Sequence, residues 1–450
     1  MKSVFLRLRS LHSDHRRIAS GAMRVAAFLL LGKVFGAFKE MAVAWRYGIS
    51  DVVDAYQFTL VMASWLPVTI VGALSVVLIP VLVQVRKTAR PARARFLGEL
   101  LGMVLLGGLA LAVVLYVVWP WVLRWAGGAL PAHVQDMSGH LMLAFAPAAL
   151  LTLLTGLNAA RLRAHERHIN TLLDSVPAVA ILVLVLAAGT GADLGPLLWG
   201  TLLGYIIQAV WLLALANRAD GVRARPRIGL ESPYWTGIMA AAGVMLVGQV
   251  AMSFVGPIDQ YTAANLGANA NATIGYATRL LSLLLGVGAA SVGRAALPVL
   301  ADIQSRGDPV HARNTALRWS VFMLAAGAAV TVAGWLLAPW GVALLFERGA
   351  FTAADTQAVA HVVRWGLLQM PFYFGVLILV QLLASQGRYR VMAGIAVANF
   401  LAKAVMNQVL APAMGPAGIM LATAVMYLVS YCCYVLAAAR PVAPTARESA

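Results

Sequence analysis

Apolar residues come in runs of about the length needed to cross a bilayer, separated by short polar breaks. A spanning helix takes about 20 mostly apolar residues. The pattern predicts twelve such helices, over 20–47, 52–83, 96–122, 135–160, 168–190, 194–217, 234–262, 270–301, 314–345, 354–386, 391–411 and 416–438. What remains divides into a basic segment 1–19, a linker 218–233 and a tail 439–450, around bundles at 20–217 and 234–438.

The two halves repeat. Ile79-Pro80 recurs as Leu297-Pro298, Pro120-Trp121 as Pro339-Trp340, Gly195-Pro196 as Gly415-Pro416, and Tyr56 as Tyr276, at offsets of 218 to 220 residues by subtraction. Each half holds an even number of spans, so both enter the membrane from the same face. The expected fold is an all-α polytopic membrane protein: two parallel six-helix repeats around a central cavity. Transporters built this way bind cargo between the halves and rock them.

Composition agrees. The 450 residues are 61% hydrophobic and 11% charged, whereas soluble domains are about a quarter charged. The formal net charge of +17 would point to nucleic acid in a soluble chain. Its placement points elsewhere. Of the 34 Lys and Arg, 25 lie on the N-terminal side of the membrane, seven lie within spans, and the opposite loops hold only Arg124 and Arg348. This is the positive-inside pattern. It predicts both termini in the cytoplasm and membrane lipids, not nucleic acid, as partners. The apolar run after the basic start is too long for a cleaved signal. Phe5, Leu6 and Leu8 allow 1–19 to form an interfacial helix. Cys432 and Cys433 are adjacent on one helix and poorly placed to pair. No metal cluster or nucleotide motif is visible, and no cofactor is expected.

The informative residues are charges inside spans, where each costs about 2.5–3.5 kcal/mol on insertion scales. Span one carries Lys33, Lys39, Glu40 and Arg46. Lys33 and Glu40 share one face, Lys39 and Arg46 another. Asp54 opens span two, where it could serve the site or cap the helix. Asp259 in span seven stands 219 residues after Glu40. Arg279 and Arg294 lie in span eight, Arg364 in span ten and Lys403 in span eleven. Arg46 and Arg294 sit near span ends, where they can snorkel. Arg364 and Lys403 read as ion-pair partners. A cluster of cations in a membrane cavity suits a phosphate or pyrophosphate. The carboxylates would separate the cations when the cavity is empty, or bind a coupling ion, with Asp259 and Glu40 the candidates for a monovalent cation or proton.

Several stretches resemble one family. Leu345-Phe346-Glu347-Arg348-Gly349-Ala350-Phe351-Thr352 is similar to the loop signature of the MurJ/MviN lipid II flippases, of the multidrug/oligosaccharidyl-lipid/polysaccharide exporter superfamily. Gly32-Lys33 through Lys39-Glu40, Asp54-Ala55-Tyr56, and Tyr276-Ala277-Thr278-Arg279-Leu280 with Gly286-Val287 resemble further family elements. The resemblance implies a flippase for an undecaprenyl-pyrophosphate-linked saccharide in the bacterial inner membrane, driven by membrane potential or an ion gradient. It implies that Lys33, Lys39 and Arg279 bind the pyrophosphate, with Glu40 and Asp54 as acidic partners. Cell-envelope glycan biosynthesis proteins would be its neighbours. The family usually has Arg where Lys33 and Lys39 stand, and two more helices. An exopolysaccharide or O-antigen unit is the alternative cargo. A drug/cation antiporter is a further reading, disfavoured by the excess of buried cations. A membrane enzyme would need a larger outer loop with catalytic side chains.

The topology is checked by reporter fusions. Fusions after Ala450 and within 221–231 are expected to report the cytoplasm, and one within 127–131 the opposite side.

Overall fold

A computed structural model describes residues 13–238, 253–286 and 309–439. Among them the chain is helical and contains no strand. The helices are α1 (Ser13–Tyr47), α2 (Asp51–Val85), α3 (Arg90–Ala126), α4 (Ala132–Ala164), α5 (Asn170–Leu173), α6 (Val176–Ala187), α7 (Gly195–Asp220), α8 (Val255–Ala264), α9 (270–286), α10 (Pro309–Phe346), α11 (Ala353–Leu367), α12 (Met370–Ser385), α13 (Tyr389–Met414) and α14 (Pro416–Ala439).

Eight helical stretches among the described residues are long and apolar enough to cross a membrane. They coincide with expected spans two to six, nine, eleven and twelve. The bent pair α11–α12 makes a ninth, at span ten. Helix α1 falls on span one. Spans seven and eight extend into 239–252 and 287–308, outside the described residues, as do Val287, Arg294 and Leu297-Pro298. The polar residues 13–19 continue α1 as helix, whereas 1–12 and 440–450 lie outside the described residues.

The apolar surface is turned outward. Leu106, Leu109, Val113, Val117 and Trp121 on α3 and Leu203, Ile207 and Val210 on α7 are exposed. In hydrocarbon this surface is solvated, whereas an open backbone or bare hydroxyl would not be. Several hydroxyls are accordingly satisfied within their own helices. Thr59 donates to Ala55 O at 2.7 Å, Thr152 to Ala148 O at 2.8 Å and Thr201 to Leu197 O at 2.7 Å.

The chain forms two compact units, Met1–Gln260 with Arg348–Phe351, and Tyr261–Glu347 with Thr352–Ala450. In the first, α4 packs on α2, α3 and α7, and α6 packs on α7. In the second, α10 packs on α11 and α12, both of these pack on α14, and α13 packs on α14. The packing thus repeats as the sequence does. Pro120 and Pro339 both lie inside helices, in α3 and α10. Tyr56 and Tyr276 are both buried, packed on Phe145 and Phe346 with ring centroids 5.8 and 5.2 Å apart.

The bend of 41° between α11 and α12 has a local cause. Pro371 has no N–H to offer the carbonyl four residues earlier. That carbonyl, Leu367 O, accepts instead from the Thr331 hydroxyl of α10 at 2.9 Å. The helix can therefore break in the apolar interior without leaving an acceptor bare.

One end of the first unit is held by a buried polar network. Arg161, in the last turn of α4, is 1% exposed. It donates from Nε to Asp220 Oδ2 at 2.8 Å, and from its two terminal nitrogens to Asn158 Oδ1 and Asn217 Oδ1, each at 2.8 Å. His165 Nε2 lies 2.7 Å from Asp220 Oδ1, and Arg93 donates to Asp220 O at 2.8 Å. The linker 221–233 is strapped over α3 beside this network. Arg227 N donates to Gly98 O at 3.0 Å. The buried Glu99 accepts from Trp235 Nε1 at 2.7 Å and Ser232 N at 3.2 Å. A Cβ at Gly102 would run into the Arg227 carbonyl, so the strap lies against bare backbone.

Two outcomes follow from these contacts. Arg161→Met takes from the buried Asp220 carboxylate its arginine partner, leaving only His165, and should cost about 3 kcal/mol, read as a lower thermal midpoint in detergent, with much of the loss restored by adding Asp220→Leu. Gly102→Val should lift the strap and speed tryptic cleavage after Arg227 several-fold.

Candidate functional site

The charged residues of α1 are set by its helical phase. Lys39 and Glu40 are both buried in the first unit, and their side chains form an ion pair of 2.5 Å. Adjacent residues on a helix point about 100° apart, so two such side chains meet only by bending toward each other. Away from water, an unpaired charge costs more than that bend. The Lys39 ammonium also lies 5.9 Å from the centroid of the Tyr56 ring on α2, a cation–π approach. The Tyr56 hydroxyl reaches Thr201 of α7 at 3.5 Å. Asp54, two residues before Tyr56, is fully buried. Its position in the first turn of α2 is also one where a carboxylate favours the positive helix end. Lys33 is half-buried on α1, one residue beyond Gly32, whose missing Cβ would come within 3.8 Å of Ser175.

The structure therefore brings Lys39, Glu40 and Tyr56 together. Asp259 is half-buried on α8 and belongs to the first unit; Arg279 is half-buried on α9 in the second.

Three other span charges have structural duties. Arg46 is buried and does not snorkel: its guanidinium bonds the Gly189 carbonyl and stacks 5.2 Å from the Tyr47 ring centroid. Tyr47 OH donates to Asp193 O at 2.8 Å. The end of α1 thus gathers the α6–α7 loop. Arg364 donates to Trp335 O at 3.0 Å. Lys403 is fully buried, donating to Ile419 O at 2.7 Å and Thr423 Oγ1 at 2.6 Å. It sits in a polar stripe of α13 with Asn399 and Asn407, one turn to either side. Asn399 donates to Ser430 Oγ at 3.1 Å and Asn407 to Thr262 Oγ1 at 3.3 Å. The i, i+4, i+8 spacing of these three residues was the signal for the stripe; span charges alone pointed only to Lys403.

The 345–352 signature is explained residue by residue. Phe346 packs on Tyr276. Glu347 Oε2 accepts from Thr356 Oγ1 at 2.7 Å. Gly349 has φ +61°, and any Cβ there would strike the Trp45 carbonyl. That carbonyl accepts from Ala350 N at 2.8 Å, so the segment Arg348–Phe351 is seated on the end of α1. Phe351 is buried. Thr352 caps α11 reciprocally: its hydroxyl accepts from Asp355 N at 3.3 Å, and Asp355 Oδ2 from Thr352 N at 2.8 Å.

Comparison with known proteins agrees with this architecture. A probable lipid II flippase MurJ of Rhizobium tropici is 26% identical over 363 residues, covering 78% of this chain and 67% of that protein. One of Synechocystis is 25% identical over 435 residues, covering 91% and 79%. One of Bdellovibrio bacteriovorus is 30% identical over 168 residues, a stretch that covers 37% of this chain and 32% of that relative. Among solved structures, a lipid II flippase MurJ in an inward closed conformation superposes with a TM-score of 0.80 at 17% identity, over 92% of this chain and 87% of that one. An inward-facing multidrug resistance MATE family transporter of the MOP superfamily gives 0.67 at 12% identity, over 93% and 97%. At these identities the structural likeness concerns the fold. The model of the lipid II flippase MurJ family matches residues 44–447, and the chain belongs to that family.

Proposed function

We propose that this protein flips lipid II, an undecaprenyl-pyrophosphate-linked saccharide, from the inner to the outer leaflet of the bacterial cytoplasmic membrane, as a secondary transporter working by alternating access with both termini in the cytoplasm. The observation that carries the reading is the family match over 44–447. Lys33, Lys39 and Arg279 bind the pyrophosphate, and Glu40 and Asp54 are their acidic partners. Proteins that make and consume envelope glycans are the expected neighbours.

The Lys39–Glu40 pair supports a coupling scheme. In the empty protein the buried ammonium is neutralised by Glu40 at 2.5 Å. A pyrophosphate that takes over Lys39 breaks the ion pair that Lys39 makes with the buried Glu40 carboxylate, which is unfavourable in a low-dielectric site. A proton or monovalent cation arriving at Glu40 removes that penalty. Cargo and coupling ion then enter together, and Asp259 is the second candidate for holding the ion. A Lys at positions 33 and 39 supplies a point charge rather than a bidentate fork. That choice favours one second reading, a lipid-linked glycan other than lipid II.

The test is complementation of a bacterium depleted of its own lipid II flippase, with membrane insertion verified and lipid II at the outer leaflet followed. The wild-type chain should restore growth. Lys39→Ala and Arg279→Ala should each abolish rescue or cut flipping at least tenfold, the loss of one charge-assisted contact of about 1.5–3 kcal/mol. Normal transport by Arg279→Ala would sink the site assignment. Failure of the inserted wild-type chain would move the cargo to an exopolysaccharide or O-antigen unit.

A further inference from the structure

The end of α7 carries an open surface groove of about 670 Å³ that none of the roles above uses. Its wall is apolar, made by Val210, Leu213 and Ala214, and its rim is polar, made by Asn217, Arg218 and Arg223.

The rim offers donors and no free acceptor. Asp220 is the nearest carboxylate in sequence, but both its oxygens are taken, Oδ2 by Arg161 and Oδ1 by His165. Arg218 and Arg223 are exposed, and among the described residues neither side chain has an acidic partner. Asn217 is fixed in orientation. Its Oδ1 accepts from Arg161 at 2.8 Å and from Ala224 N at 3.4 Å. The amide cannot flip without losing both, so Nδ2 stays a donor. The negative helix end amounts to about half a charge, which two full cations outweigh.

Depth selects the ligand. Helix α7 has 26 residues, about 39 Å at 1.5 Å per residue. The hydrocarbon core is about 30 Å thick, so the last turn reaches head-group level. The apolar wall runs on into the exposed face of α7, where Val210 is 62% exposed. Solvated surface arginines would explain the charge of this face. They would not require an apolar groove that runs up to the arginines.

We infer that this groove binds an anionic glycerophospholipid, its phosphate on Arg218, Arg223 and Asn217 and its acyl chain along Val210, Leu213 and Ala214. The site lies on the membrane face with the basic surplus, where anionic lipid heads gather. It is independent of the transport cargo.

The test is native mass spectrometry of the full-length protein titrated with dioleoyl-phosphatidylglycerol or dioleoyl-phosphatidylcholine. The wild-type chain should prefer phosphatidylglycerol, and the Arg218→Gln/Arg223→Gln double variant should lose that affinity about tenfold or more, at roughly the strength of one cationic contact per arginine. The Arg90→Gln/Arg225→Gln variant, which removes two exposed arginines outside the groove, should keep it. Millimolar inorganic phosphate should fail to displace the lipid. Equal loss in both double variants would show a diffuse basic surface and overturn the site. So would equal binding of the two lipids. Displacement by phosphate alone would reassign the rim to a free anion and overturn the lipid assignment. Thermal midpoints matching the wild type show that the variants are folded.

Discussion

Hydrocarbon offers no hydrogen bonds, and that single condition governs where every polar atom of this chain can go. An exposed leucine is at no disadvantage there, whereas an unpartnered carbonyl or carboxylate is expensive. Threonines therefore bond back to their own helices. A proline break is admitted only where Thr331 covers the carbonyl that the break releases. Charges that the chain keeps within the membrane must find partners on the spot, and the Lys39–Glu40 pair shows how far this goes. Two neighbours that helical geometry points apart are drawn together by the absence of water.

The same condition divides the charged residues by duty. Arg46, Arg161, Arg364 and Lys403 are committed to carbonyls, amides, hydroxyls or a carboxylate. Arg46 and Arg161 hold helix ends and a loop in place, and Arg364 and Lys403 tie neighbouring helices together. Lys39 differs because its partner is a neighbouring residue that can itself be neutralised. A buried cation whose counter-ion can be discharged locally can be exchanged between cargo and protein without leaving a bare charge. That distinction sets the Lys39–Glu40 pair apart from the other buried cations more sharply than burial does.

Much of the architecture was legible in the sequence because the signals were local or periodic. Spans follow from run length, the repeat from the Pro, Trp and Tyr landmarks, and the signature loop from a contiguous string. The α1 charges stood out because charge in an apolar run is costly. The Arg161 network was not legible: its partner Asp220 is 59 residues away, and Arg161 reads as one more positive-inside charge. Arg46 was misjudged for a related reason. Proximity to a span end suggested a head-group contact, but its acceptor is a loop carbonyl 143 residues on. The strap over Gly98 and Gly102 depends on missing side chains, and an absent Cβ is informative only once the neighbouring backbone is known.

The bend between α11 and α12 has a further property. The Thr331 hydroxyl lies 2.9 Å from Leu367 O and also 2.9 Å from Gly327 O in its own helix. A hydroxyl carries one proton, so the two carbonyls share it. Transferring the proton wholly to Gly327 lets go of Leu367, and transferring it back grips the break again, with one hydrogen bond kept in either arrangement. Releasing Leu367 O would leave that carbonyl bare in hydrocarbon, whereas Gly327 O lies within its helix four residues before Thr331, so the gripped setting is the stable one and the hydroxyl pins the bend. A membrane span built this way keeps a fixed angle at a break in its helix, held by one hydroxyl of a neighbouring helix.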